Sequence, residues 1–213
     1  MPYQYLICVN FQTTNWDAYG SRKNDVEIIE FSALLLNTEN GLIESLFHHY
    51  VRPVHFPTLS EYCISTTGIT QSFIDQEKPF DDIYNKFLCW LRQMIVKRSL
   101  VFATPQNLHS SNGVLNATFC TWSDWDLGHY LYRECIRNEK SRFECMKAWI
   151  DIRRAFDQLF PNRFTFTNAL DWANIHRNYN NHSGLEDANN LAKLVMHLIG
   201  LGLRFEVVTS CSY

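Results

Sequence analysis

The sequence predicts an α/β domain in which a mixed β-sheet is covered by helices. Three apolar, strand-like segments follow one another within residues 1–51, and amphipathic helix patterns then alternate with short apolar segments. The chain has 213 residues, of which 46% are hydrophobic and 15% aromatic, so it can bury a sizeable core. We therefore expect residues 1–213 to form a single folded domain.

The N-terminal part predicts an antiparallel meander of three strands. Tyr5–Thr13 has an apolar centre, and Asp25–Asn37 is rich in Ile, Phe and Leu, which favour strands. The segment Asn37–Gly41 (NTENG) is a turn signal. Leu42–Val51 then alternates as a strand does, and the Pro53 that follows ends it.

Helices dominate the middle of the chain. Short helices are predicted at Ser60–Ser65 and Gln71–Gln76. Phe80–Lys97 carries apolar residues three and four positions apart, which indicates a long amphipathic helix. Leu100–Thr104 and Val114–Thr121 are strand-like runs on either side of a polar, turn-rich loop.

The C-terminal part alternates helices with short strands. Asp124–Asn138 is predicted to be a helix capped by Ser123, and Ala148–Ile152 a short strand. Leu203–Thr209 is a candidate edge strand. Further helices are predicted at Arg153–Phe160, Thr167–Ile175 and Leu185–Leu201.

Composition restricts the classes of function. The net charge of -3 disfavours a strongly basic nucleic-acid binder, so any RNA contact must rely on a local patch. Seven cysteines without a CxxC pair indicate reduced thiols and disfavour a zinc site. The start of the chain lacks the pattern of a signal peptide, and no apolar run is long enough to cross a bilayer. We therefore expect an intracellular protein, cytoplasmic or nuclear, without a membrane partner.

Polar residues at three separate places in the sequence form a candidate site. Asn10 and Gln12 are two positions apart on the first strand, so their side chains share one face. Asp126 begins a predicted helix, and Asp187 lies near the start of the last long helix, five residues after His182. Taken singly, an acid at the start of a helix needs no explanation beyond the helix dipole.

The segments around these residues resemble the motifs of the DEDDh 3′-5′ exonucleases. Tyr5–Trp16 (YLICVNFQTTNW) is similar to the first motif, and Thr121–Gly128 (TWSDWDLG) and His182–Asp187 (HSGLED) to the later ones. Glu27–Asn37 (EIIEFSALLLN) narrows the resemblance to the Eri-type exoribonucleases, which include the histone-mRNA 3′-end exonuclease and Snipper-like proteins. The resemblance covers nearly the whole chain. It implies a ribonuclease-H-like fold with a five-stranded mixed sheet flanked by helices.

The resemblance also implies a role for each residue of the candidate site. In this family two Mg²⁺ or Mn²⁺ ions, held by four acids, clamp the scissile phosphate, and a histidine removes the proton of the attacking water. Asp126 and Asp187 match the third and fourth acids, and His182 matches the general base. Asn10 and Gln12 stand where the family has Asp and Glu, so the first motif is degenerate.

Two missing charges are expected to weaken the metal site strongly. At an effective dielectric constant of ~20, each charge lost at contact distance is worth on the order of 4 kcal/mol before solvation offsets it. A tenfold change in rate or affinity needs only about 1.36 kcal/mol. We therefore expect weak or absent Mg²⁺ and Mn²⁺ binding and little hydrolysis.

Three functions are compatible with this reasoning. The first is a catalytically impaired pseudo-exonuclease that acts by binding single-stranded or 3′-end RNA, or a protein partner, with Phe11, Thr13 and Trp125 as candidate RNA contacts. The second is an active Mg²⁺-dependent 3′-5′ exoribonuclease in which Asn10 and Gln12 are engineered or tolerated replacements. The third is a protein-interaction module without RNA binding. Basic residues concentrate between residues 133 and 154, and we interpret them as a solvated helix face.

Overall fold

A mixed sheet of six strands forms the centre of the molecule. The computed structural model describes residues 3–16, 26–108, 115–160, 164–176, 183–205 and 207–209. The strands are β1 (Tyr5–Thr13), β2 (Ile28–Asn37), β3 (Ile43–Tyr50), β4 (Ala117–Thr121), β5 (Ala148–Asp151) and β6 (Val207–Thr209). Their order across the sheet is β3-β2-β1-β4-β5-β6. The pairs β1–β4 and β4–β5 are parallel, and the other neighbours are antiparallel.

Helices cover both faces of this sheet. The α-helices are α1 (Glu61–Thr67), α2 (Gln71–Ile74), α3 (Phe80–Arg98), α4 (Leu131–Arg137), α5 (Ile152–Leu159), α6 (Phe166–Trp172) and α7 (Gly184–Gly200). A π-helix, Trp125–Tyr130, leads directly into α4, and a short 3₁₀ helix, Glu144–Lys147, precedes β5. None of the helices in the described ranges combines the length and apolar character that a bilayer crossing requires.

The alternation of side chains along β1 divides the core into two clusters. Tyr5, Ile7, Val9 and Phe11 point into one cluster, which is closed by α3. In that cluster the ring of Phe31 contacts the rings of Phe11, Phe47 and Phe87 at centroid distances of 4.6–5.3 Å. Leu6 and Cys8 point into the other cluster, against the apolar face of α7. The same alternation directs Asn10 and Gln12 to the α7 face.

Most of the predicted elements are confirmed. The antiparallel meander, the long helices and the mixed sheet flanked by helices all form, and the candidate edge strand at Leu203–Thr209 is present over Val207–Thr209 as β6. Leu100–Thr104 is not a strand: it contributes one bridge, Phe102 to Ala117, because the chain turns away at residues 105–108.

The predicted helix Asp124–Asn138 is divided in two. Its first part is the π-helix, with Asp124 rather than Ser123 at the N-cap position, and its second part is α4. Gly128 lies in the π-helix so close to Trp149 that a Cβ atom would stand 3.2 Å from the indole ring. Since this packing involves a strand 21 residues away, the local sequence pattern did not reveal it.

Replacing Phe31 with Ala tests the aromatic cluster. Phe31 is 1% exposed, so the substitution should lower the free energy of unfolding by about 3–5 kcal/mol through lost burial and a residual cavity. Phe73, on α2, is 41% exposed and provides the matched control: Phe73→Ala should cost about 1 kcal/mol or less. Urea denaturation of the three proteins measures both values. Equal losses would contradict the assignment of Phe31 to the core.

Candidate functional site

The candidate site lies where β1 separates from β4. The two strands pair in parallel only from Tyr5 opposite Ala117 to Cys8 opposite Cys120. Beyond Cys8, β1 continues for five residues alongside β2 alone, up to Thr13. A cleft at the carboxyl ends of parallel strands is the usual position of a site in a sheet of this kind. Asn10 and Gln12 lie on this half of β1, which pairs with β2 but not with β4.

Asp126 ties the π-helix to the open edge of β1. Its Oδ1 accepts a hydrogen bond of 3.0 Å from the backbone N–H of Phe11, in a buried environment. Burial raises the pKa of Asp126 to about 7, and the charges of Asp187 and Asp151 act in the same direction, while the Phe11 N–H opposes them. Near neutral pH this carboxyl group is therefore only partly ionised.

Asp187 approaches the same strand, β1, from α7. It is buried in the first turn of α7, and its Oδ2 lies 3.4 Å from Nε2 of Gln12. The amide nitrogen of Gln12 thus points towards the carboxylate. The Oδ1 of Asn10 is buried and has no hydrogen-bond partner in the part of the chain that the structure describes. The structure therefore brings Asn10, Gln12, Asp126 and Asp187 together around β1.

Two features at this site were not anticipated from the sequence. Glu30, on β2, pairs in register with Gln12, and its carboxylate contacts the first residues of α7. Asp151 caps α5, and burial raises its pKa. A signal for Glu30 was present, since it is the one charged residue in the otherwise apolar or small-residue run of β2. A charge inside a buried strand must find partners elsewhere in the fold.

The three candidate RNA contacts occupy different environments. The ring of Phe11 is 5% exposed and packs edge-on against Phe31, so it belongs to the core cluster closed by α3. Thr13 is also buried, and its hydroxyl donates to Oδ1 of Asn15 at 3.4 Å. Trp125 is partly exposed on the π-helix and contacts His129 at a centroid distance of 4.8 Å. Of the three residues, Trp125 is the one that is not buried.

The candidate general base, His182, lies outside the described residues. Within the described ranges, no group of three or more His, Cys, Asp or Glu side chains is arranged to hold a metal ion. The oxygen donors gathered around β1 are the carboxylates of Asp126 and Asp187 and the neutral amides of Asn10 and Gln12.

Comparison with known proteins relates this arrangement to a family of nucleases. The family described as exonuclease, RNase_T, matches residues 11–195. ERI1 exoribonuclease 2 of Xenopus laevis is 37% identical over 210 residues, which are 98% of this chain and 30% of that protein. The 3′-5′ exonuclease Snipper of Drosophila melanogaster is 36% identical over 208 residues, which are 97% of this chain and 73% of that protein. The chain thus spans less than a third of the length of ERI1 exoribonuclease 2.

Solved structures agree with this relationship. The nuclease domain of 3′hExo, a DEDDh family member bound to rAMP, has a TM-score of 0.81 at 26% identity, with 98% of each chain covered. A 3′-exonuclease structure described by its 3′-end specific recognition of a histone mRNA stem-loop has a TM-score of 0.78 at 24% identity, covering 99% of this chain and 92% of that one. The fold is therefore the ribonuclease-H-like exonuclease fold.

The substitution Asp126→Asn should change how stability depends on pH. The pKa of Asp126 rises from its usual 3.8 to about 7 on folding, so the folded chain binds this proton more tightly than the unfolded chain. The resulting stabilisation is complete below about pH 4 and is lost as the pH rises to about 7. Asn keeps an oxygen for the Phe11 N–H but does not titrate. Between about pH 5 and pH 8, the variant should gain on the order of a few kcal/mol relative to the original chain.

Urea denaturation at several pH values measures this difference. Asp82→Asn is the control, because it removes the same charge from an exposed position in the first turn of α3. Its stability should follow that of the original chain across the range. If Asp126→Asn does the same, burial of Asp126 does not control its ionisation.

Proposed function

The chain belongs to the RNase_T exonuclease family, and from this membership we propose that residues 1–213 are an Eri-type exonuclease-like domain that binds RNA and hydrolyses it slowly or not at all. The observation that carries the proposal is the pair of amides, Asn10 and Gln12, on the strand at the centre of the site. The DEDDh exonucleases generally depend on divalent metal ions. A change in the charge of the metal-binding strand therefore bears directly on activity.

The donor set supports a loss of the metal pair. Two Mg²⁺ ions bring four positive charges, whereas Asp126 and Asp187, the two acids that match the family's motifs, supply at most two negative ones. The nitrogen of Gln12, rather than its oxygen, points towards Asp187. A positively polarised N–H group beside Asp187 opposes the approach of a cation. These residues do not fit a pair of divalent ions.

An active exoribonuclease is the second candidate. It is favoured by the retention of Asp126 and Asp187 in positions where both reach β1. The related proteins named ERI1 exoribonuclease 2 and Snipper carry the activity in their names. In this case amide oxygens would have to serve in place of two carboxylates, at the energetic cost derived above.

A protein-interaction module is the third candidate. It is favoured by the ion pairs that the basic residues form within the chain. Several of the cations between residues 133 and 154 form ion pairs with acids of the same chain and so are partly neutralised. The pairs are Arg137 with Glu134, Lys140 with Asp81, Lys147 with Glu144, and Arg153 and Arg154 with Asp124. This pairing supports the interpretation of a solvated helix face over an RNA track.

Restoring the two acids tests the proposed impairment. The double substitution Asn10→Asp with Gln12→Glu should raise Mn²⁺ affinity and the rate of 3′-end shortening of a single-stranded RNA by more than about a hundredfold, because two contact charges return. Calorimetric titration with Mn²⁺ and gel analysis of a labelled RNA measure the two effects. Adding Asp126→Asn to the restored protein should remove both gains. If the original chain instead shortens the RNA as fast as the restored chain, the active enzyme is established.

Binding of RNA by the original chain separates the first and third candidates. Single-stranded RNA with a free 3′ end should bind with an affinity that falls between about 50 and 200 mM salt, as counterion release requires. Trp125→Ala should weaken this binding about 5- to 150-fold if the indole stacks on a base. Trp90→Ala is the control, since Trp90 lies against Ser45 at the β3 edge of the sheet. Fluorescence anisotropy measures all three proteins, and an absence of binding would favour the interaction module.

A further inference from the structure

Glu30 is a buried carboxylate with hydrogen-bond donors from β3 and from the start of α7. Its side chain is 1% exposed. Its Oε1 accepts from Nε2 of His48 at 2.9 Å, from Oγ of Ser183 at 3.2 Å and from the backbone N–H of Leu185 at 3.1 Å. Its Oε2 accepts from the backbone N–H of Gly184 at 2.8 Å. We propose that Glu30 is a positioning residue that fixes the start of α7, and with it Asp187, against the site strand.

The register of the sheet places this carboxylate beside the site. Glu30 stands opposite Gln12 in the β1–β2 pair, and Ser32 stands opposite both Asn10 and His48 in its two pairs. Residues directly opposite on neighbouring strands share a face of the sheet. Glu30, His48, Asn10 and Gln12 therefore all face α7.

Gly184 permits the close contact between helix and sheet. A Cβ atom at this position would lie 3.1 Å from Cδ of Glu30 and 3.2 Å from Oδ1 of Asn10. Any larger residue would require the side chains of Glu30 and Asn10, or the start of α7, to shift by a few tenths of an ångström. The absence of a side chain at residue 184 thus keeps the start of α7 within contact distance of Glu30 and of Asn10 on β1.

The position of Asp187 follows from the contacts of Glu30 with the start of α7. Asp187 lies one helical turn after Ser183, and its N–H donates to the carbonyl of Ser183 at 3.0 Å. The first turn of α7 is therefore held at its beginning by Glu30 and at its end by this hydrogen bond. Since the Oδ2 of Asp187 is 3.4 Å from Gln12, a small movement of the turn would break that approach. An anion at the N-terminus of a 17-residue helix also interacts favourably with the helix dipole.

Glu30→Gln is the direct test, and Glu27→Gln is its matched control. Glu27 is also buried, lies three residues earlier, and accepts backbone N–H groups of Val54 and Phe56, far in sequence from α7. Glu30→Gln should lower the hydrogen-exchange protection of Gly184 and Leu185 by about tenfold or more, and shift their amide proton resonances upfield, since a carboxylate acceptor is lost. Glu27→Gln should leave these two amides unchanged. Ser183→Ala removes a single donor and should show a smaller change of the same kind.

A second measurement, which rests on the proposed function, distinguishes a positioning role of Glu30 from a general effect on the stability of the fold. In the chain with Asn10→Asp and Gln12→Glu, adding Glu30→Gln should weaken Mn²⁺ binding about tenfold or more because Asp187 moves, whereas adding Glu27→Gln should change it less than about twofold. Glu30→Asp, which keeps the carboxylate on a shorter side chain, should restore part of the affinity.

The possible outcomes separate the two proposals. If Glu30→Gln behaves like Glu27→Gln in both measurements, Glu30 is an ordinary buried acid and the positioning role is wrong. If the acid-restored chain fails to bind Mn²⁺, the two amides do not explain the proposed impairment, and exchange at Gly184 and Leu185 alone decides the role of Glu30. Should Glu30→Gln not fold, Ser183→Ala and Glu30→Asp decide it by the same two amides.

Discussion

The short pairing between β1 and β4 is the constraint on which the site depends. Because the two strands separate after Cys8, the next half of β1 has one free edge inside the protein. The N–H of Phe11 on this edge finds its acceptor in Asp126 rather than in a neighbouring strand. The alternation of side chains along β1 directs Asn10 and Gln12 on this half of the strand towards α7. One departure from regular pairing therefore frees this edge of β1 and sets the first polar contact of the site.

The electrostatics around β1 depend on the neutral amide side chains of Asn10 and Gln12. Four carboxylates gathered in a buried site repel one another, and bound cations relieve that repulsion. Here Gln12 directs an N–H group towards Asp187, so an attractive contact replaces a repulsive one. Burial then raises the pKa of Asp126 to about 7 and lowers the remaining negative charge further.

The sequence and the structure agree best on the elements with long, regular patterns. β1, α3 and α7 were predicted within one or two residues, because apolar periodicity over nine to nineteen residues is hard to mistake. The helix at Asp124 was misjudged because it packs against a distant strand, and the run Leu100–Thr104 because the chain turns away at residues 105–108. Glu30 was missed as a site residue for a similar reason: its donors lie 18 to 155 positions away in the sequence.

By itself the sequence determined the order of the elements, the resemblance to the Eri-type exonucleases and the presence of amides at residues 10 and 12. These are properties of residue type and spacing along the chain. Only the tertiary structure decided which atoms meet: the Gln12 nitrogen with Asp187, the Phe11 N–H with Asp126, and Glu30 with the start of α7. Such contacts join residues 115 to 175 positions apart, and they depend on strand register and helix placement, which no local pattern encodes.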